Sequence, residues 1–189
     1  MVVAYYRLDG SRDFDPVGFE MVALDESPDV DVPWTMGVRW PEPVQEPIKC
    51  FLDPRSGPVM PDIIIDLPLF SDRLLRVLKD AGVRNLDLYD AEVIDRERGK
   101  VYANYKAVNI VGRMSCADLE KSEYSAGAKP PLMRFSRLFV DETRALGVSL
   151  FRLAEDTLFI LVSEHVKKAV EEAGLVGVRI VSLGEATRF

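Results

Sequence analysis

The chain's only histidine, His165, stands between Ser163, Glu164 and an apolar helical stripe, so a nucleophile, a base and an orienting acid lie within three consecutive positions. Consecutive helix residues point about 100° apart, so these side chains cannot converge on one reacting atom. Geometry comes before pKa in choosing a base, and it predicts a surface histidine in the first helical turn. Carboxylates form a second group: Asp62 and Asp66, then Asp90, Glu92 and Asp95. Acids on strands can hold a divalent metal for phosphodiester hydrolysis, and that chemistry is the enzymatic alternative here. Against it, Asn104-Tyr105-Lys106 offers an amide where a further charge is needed. A wetted strand edge accounts for the same acids, since edge charges deter aggregation. Cys50 and Cys116 fit no close metal or redox spacing and are expected as buried, reduced thiols. Gly174-Leu175-Val176-Gly177 follows a helix, whereas a phosphate cradle precedes one so that free amides face the ligand. No catalytic residue, metal or cofactor is expected. The default class is a binding protein.

The elements that would position any site are clearest from Phe151 to Leu183. The apolar run Leu158 to Val162 hands over to Val166, Ala169, Val170 and Ala173, spaced three and four apart, with Glu164, Lys167, Lys168, Glu171 and Glu172 on the opposite face. Ser163 is placed to cap this helix and Gly174 to end it, which predicts a helix over about 163–173. A similar unit lies 92 positions earlier, from Ser71 on Ser163 through Leu74 on Val166, Leu78 on Val170, Gly82 on Gly174 and Leu88 on Ile180. It predicts a second helix over about 71–81. Either a duplication or two amphipathic helices closed by glycine accounts for the match.

Strands are expected over Val2–Leu8, Phe19–Leu24, Ile48–Leu52, Pro61–Asp66, Leu132–Val140 and Val148–Leu153. Leu86–Ile94 and Val101–Arg113 should pair as an antiparallel hairpin, and Ala117–Lys121 is a candidate helical turn. The fold class is therefore α+β, with a mostly antiparallel or mixed sheet and two equivalent helices packed on one face. If the strands flanking the second helix are parallel neighbours, their crossover is right-handed.

Of the 189 residues, 48% are hydrophobic, enough for a sizeable core. No apolar run reaches membrane-spanning length, and Met1 to Leu8 lacks the pattern of a signal peptide, so a cytoplasmic protein is expected. Most prolines fall between Pro16 and Pro61. That divides the chain into a loop-rich acidic lobe, 1–57, and a main domain, 58–189, expected to form one compact unit. The net charge of −7 repels nucleic acid and anionic membrane. Its excess lies early: Asp9, Asp13, Asp15, Glu20, Asp25, Glu26, Asp29 and Asp31 face only Arg12 in that interval. This is a landing site for a basic partner or a solvated loop. Trp34 and Trp40 beside it either roof the core or anchor an interface.

The carboxy-terminal two-thirds, about residues 58–183, resembles a bacterial family of small immunity proteins of polymorphic toxin systems, named for a myxobacterial immunity protein. The resemblance is carried by Asp62-Ile63-Ile64, the helix end from Leu74 to Gly82, Ala107 to Gly112, Leu150-Phe151-Arg152-Leu153, and Val162-Ser163-Glu164 leading to Gly174. These look like scaffold signatures, with Asn109 a buried polar tie and Arg152 a buried ion-pair member. The resemblance implies a cytoplasmic antidote that binds and blocks a cognate toxin, typically the product of an adjacent gene, with no substrate or cofactor. Asp25, Glu26, Asp29, Asp31, Trp34 and Trp40 are the expected toxin-facing residues. A non-catalytic regulatory subunit is the remaining alternative, and oligomeric state stays open.

Overall fold

The computed structural model describes residues 4–10, 14–15, 18–19, 24–26, 32–65 and 67–184. In chain order the elements are β1 (Tyr5–Gly10), β2 (Phe14–Asp15), β3 (Gly18–Phe19), β4 (Leu24–Glu26), β5 (Ile48–Leu52), β6 (Ile63–Ile64), β7 (Leu69–Ser71) and α1 (Asp72–Asp80). There follow β8 (Leu86–Asp95), β9 (Lys100–Ile110), β10 (Arg113–Met114), β11 (Glu123–Tyr124), β12 (Phe135–Arg137), β13 (Leu150–Leu153), β14 (Ile160–Ser163), α2 (Glu164–Glu172) and β15 (Val178–Ser182). Two helices and mixed sheets make an α+β fold. Two main sheets form rather than one: a five-stranded sheet ordered β10-β13-β14-β1-β15 and a six-stranded sheet ordered β4-β5-β8-β9-β7-β6. The segment 1–57 contributes β1 to the first sheet and β4 and β5 to the second.

The two helical units share a ladder as well as a sequence pattern. Helix α1 joins β7 to β8, which are parallel to each other but separated by β9, antiparallel to both. Helix α2 joins β14 to β15, separated in the same way by β1. The strands flanking α2 are therefore not neighbours, because the amino-terminal strand occupies the place between them. The registers correspond residue by residue. Ser71 faces Tyr105 where Ser163 faces Tyr5, and Leu88 faces Val108 where Ile180 faces Leu8, so β1 stands in for β9 at a constant displacement of 100. The outer strands match too, since Ile63 faces Phe70 as Leu150 faces Val162. Each unit is thus a split β-α-β motif with a fourth strand on its flank.

The packing follows from this correspondence. One core combines Ile63, Phe70, Leu74, Leu78 and Val108 of the first unit with their equivalents Leu150, Val162, Val166, Val170 and Leu8 of the second. Leu74, Leu78 and Val166 are fully buried. The opposite face of the six-stranded sheet buries Ile48, Cys50, Leu69, Val93 and Tyr105 beneath Leu24, Trp34, Val44 and Met60. The opposite face of the five-stranded sheet buries Tyr5, Phe151, Phe159 and Leu161 beneath Cys116, Met133, Phe135 and Leu138.

Local differences from the sequence reading have physical causes. Ser71 caps α1 as expected, its hydroxyl accepting from the Leu74 amide at 3.1 Å. Ser163 sits at the N-cap of α2 but makes no side-chain cap bond. The Glu164 amide donates to the Ala4 carbonyl at 3.0 Å, just ahead of β1. Gly82 and Gly174 end the helices at φ 84° and 57°, where a side chain would be strained. The β8–β9 hairpin forms as read, from Leu86 facing Ile110 to Asp95 facing Lys100. The strand expected over Leu132–Val140 is reduced to β12; in the candidate helical turn, Ala117 itself bridges antiparallel to Val140, and a single turn follows, closed by the Ser122 amide donating to the Asp118 carbonyl at 2.9 Å. Both belong to the irregular segment that covers the five-stranded sheet, where tertiary burial overrides local propensity.

Candidate functional site

Of the carboxylates that could have held a metal, Asp62, Asp90 and Asp95 are committed to other partners. Asp62 is buried at the junction of the two units. Its backbone amide donates to the Val176 carbonyl at 2.7 Å, and its carboxylate accepts from the Ser71 hydroxyl at 2.5 Å and from the Val176 amide at 2.8 Å. Arg73 approaches it to 3.7 Å and also donates to the Ala173 and Gly174 carbonyls, complementing the carboxy-terminal end of α2 from the other unit. Asp62 is therefore a cross-tie. In the reciprocal direction, the Asn85 amide of the first unit donates to the Leu150 carbonyl of the second at 3.0 Å. Asp90 pairs with Lys106 at 2.6 Å, and Asp95 with Arg98 at 2.9 Å. The Arg98 hydrogen bond holds the Asp95 carboxyl below the usual carboxylate range. Asp66 lies outside the described residues. Among the described residues no group of three His, Cys, Asp or Glu side chains is arranged to hold a metal. His165 is exposed in the first turn of α2. Burial pushes the Cys50 thiol up to about 11 and the Cys116 thiol up to about 12, so both are free, protonated and inert at neutral pH.

The expected partner-facing residues divide between two settings. Asp25 and Glu26 fall on β4, an edge strand of the six-stranded sheet that pairs with β5 through Leu24 facing Leu52 and Glu26 facing Phe51. Their side chains, like Asp29 and Asp31 altogether, lie outside the described residues. Trp34 is half-buried, meets the Tyr89 ring edge-on with centroids 5.5 Å apart, and packs over the outer core of the six-stranded sheet. Trp40 is half-buried in the loop that follows. That loop is tied across β8 and β9. The Gly112 amide donates to Gly37, Asn109 donates to the Val38 carbonyl at 2.8 Å, Arg39 pairs with Asp87 at 3.2 Å, and the Glu46 carboxylate takes the Asp90 amide. Asn109 is thus a buried polar tie.

Arg152 is buried without the expected ion pair: its Nη1 donates to the Thr157 carbonyl at 2.7 Å, and among the described residues no carboxylate lies within ion-pair distance. Burial lowers it to about 10. Sequence reasoning missed the anchoring loop beside it. Glu155 accepts from the Ser115 hydroxyl at 2.6 Å, and Asp156 accepts from the Arg134 amide at 2.8 Å, which pins the segment covering the five-stranded sheet. A run of Glu, Asp and Thr between two apolar strands reads as a solvated turn, and nothing local marks it as buried.

The architecture defines a class: an α+β protein of two interlocked split β-α-β units whose acidic groups serve as ties. The chain matches the immunity protein family (Imm11) over residues 12–184, and it belongs to that family. The match begins well before residue 58, as expected when β4 and β5 extend the same sheet as β8. No curated protein matches the chain. No helix among the described residues is long and apolar enough to cross a membrane.

Proposed function

We propose that this protein binds a cognate toxin in the cytoplasm and neutralises it by association alone, without catalysis, the toxin being the product of an adjacent gene. Membership of an immunity protein family over residues 12–184 is the observation that carries this reading. The engagement of Asp62, Asp90 and Asp95 in internal ties agrees with a binding role. Residues 1–57 and 58–189 act as one unit in it, because β1, β4 and β5 complete both sheets. A specific block needs roughly 1,200–2,000 Å² of buried surface with a few aromatic or charged anchors. Asp25, Glu26, Asp29 and Asp31 steer a basic toxin surface, with Trp40 as an anchor, while Trp34 divides its area between the interface and the Tyr89 ring.

Co-expression with the toxin domain encoded beside this gene tests the reading. Rescue of growth and recovery of a stoichiometric complex are expected; a toxin unaffected by this protein would refute it. Changing the four acids to Asn or Gln should slow association at low salt, with the difference shrinking as salt rises. Association rates unaltered at low salt would remove the steering role. Trp40→Ala should speed dissociation, whereas Trp34→Ala should also lower the melting temperature.

A further inference from the structure

The two units differ at one edge. In the first, the outer side of β8 is covered: β5 runs parallel along Ala91 to Ile94, the Glu46 carboxylate takes the Asp90 amide, and Arg39 pairs with Asp87. In the second, β15 is the terminal strand of its sheet and pairs only with β1 among the described residues. Beside it opens a groove of about 270 Å³ between the last turn of α2 and the strand, lined by Val170, Glu171, Gly174, Leu175, Val178 and Ile180. Leu175 is half-buried there, whereas its equivalent Val83 is buried. An unpaired edge with an apolar groove alongside is the geometry of strand addition, in which main-chain hydrogen bonds give affinity and alternate side chains fill the pocket.

We propose that the free edge of β15 takes an extended segment of the toxin as an added strand, a step that rests on the toxin-binding reading above. The covered edge of the first unit indicates the chemistry of the occupant. There β5 has the sequence Ile-Lys-Cys-Phe-Leu: Ile48, Cys50 and Leu52 turn to the outer core, while Lys49, across from Glu92, and the half-buried Phe51 alternate with them on the helix-side face that corresponds to the groove. Along β15 the groove takes the alternate apolar side chains of the incoming strand. Glu171 and Glu172 are exposed at the end of α2; Glu171 already pairs with Lys167 at 2.8 Å, and Glu172 attracts a Lys or Arg on that strand. A second copy of this chain would bring the same two glutamates and a net charge of −7 to the same edge, so it is the disfavoured occupant.

Hydrogen–deuterium exchange on the wild-type protein, free and in complex with the toxin domain encoded by the neighbouring gene, tests the proposal. Amides of Val178 to Ser182 should exchange at least tenfold more slowly in the complex, while β8 amides stay unchanged. Glu172→Lys, at an exposed site, should weaken the complex about tenfold without altering the melting temperature. A complex that forms with β15 amides unprotected overturns strand addition and leaves the toxin-binding reading standing. The absence of any complex overturns both. Protection of β15 that rises with protein concentration and needs no toxin makes a second copy the occupant, and that also overturns the proposal.

Discussion

The β6-to-β9 unit and the β13-to-β15 unit with β1 present equivalent residues to their shared core and unrelated residues to everything else. Leu74 and Leu78 on α1 answer Val166 and Val170 on α2. On the outer faces, one sheet is covered by residues from 24–67 and the other by residues from 114–148. The hairpins before the helices differ as well: Ile64 and Leu69 are five positions apart, whereas their equivalents Phe151 and Leu161 are ten apart. The extra residues include Glu155 and Asp156, which pin the covering segment of the second unit. A face that packs against its own counterpart constrains side-chain size on both sides at once. A face covered by loops accepts whatever those loops bring.

The largest expected effects test whether the inner core is truly shared. Leu78→Ala should destabilise the protein by about 2–5 kcal/mol through the cavity it leaves. Val170→Ala, at the equivalent site, should cost about 1.5–3 kcal/mol because fewer buried methyl groups are lost. Both variants should unfold in one cooperative transition seen alike by fluorescence and circular dichroism. Two separated transitions in either variant would mean that the units are independent.

Asp62→Ala sharpens the comparison at the junction. It removes acceptors from the Ser71 hydroxyl and the Val176 amide and a neighbour from Arg73, all close to the seam between units. Hydrogen bonds to a charged group suggest a loss of about 1.5–3 kcal/mol. Denaturant titration measures it, and a loss under about 0.5 kcal/mol would reduce Asp62 to a surface acid.

The caps separate the units at smaller magnitude. Ser71 makes its cap bond and Ser163 does not. Ser71→Ala should therefore cost about 1 kcal/mol or somewhat more. Ser163→Ala should cost only a few tenths, because its hydroxyl makes no cap bond to lose. Equal losses in the two variants would contradict this division.

These same residues mark how far the sequence could be read. Ser71, Leu74, Leu78 and Gly82 each lie about one turn from the next, as do their counterparts from Ser163. Both helices and their equivalence were legible because helix formation is local. The hairpin of Leu86–Ile94 with Val101–Arg113 was legible for the same reason, its strands being adjacent in the chain. The place of β1 was not, since nothing near Tyr5 encodes that it will pair with Ser163 and, through Tyr6, with Ser182. The second sheet depends on that distant pairing, so a single sheet was the natural expectation. For the proposed binding surface, acid content singles out Asp25 to Asp31 from composition alone. The edge of β15, unpaired among the described residues, emerges only when the two ladders are compared.

The smallest effect is expected at Asp156, in the hairpin extension that only the second unit carries. Its carboxyl is buried, and burial raises its pKa above the ordinary aspartate value, although the Arg134 and Leu158 amides oppose the shift. A carboxyl with a raised folded-state pKa binds its proton more tightly in the native protein than in the unfolded chain. Its contribution to stability is therefore fully present below the unfolded pKa and is lost as pH rises through the folded value. Asp156→Asn keeps an oxygen for the Arg134 amide and cannot ionise. The stability difference between variant and wild type should therefore move in favour of the variant as pH is raised from strongly acidic conditions to neutrality. Urea midpoints at closely spaced pH values measure this. Parallel curves for the two proteins would mean that the Asp156 carboxylate is as well solvated as an exposed one, and that the extension is not the buried anchor distinguishing the second unit from the first.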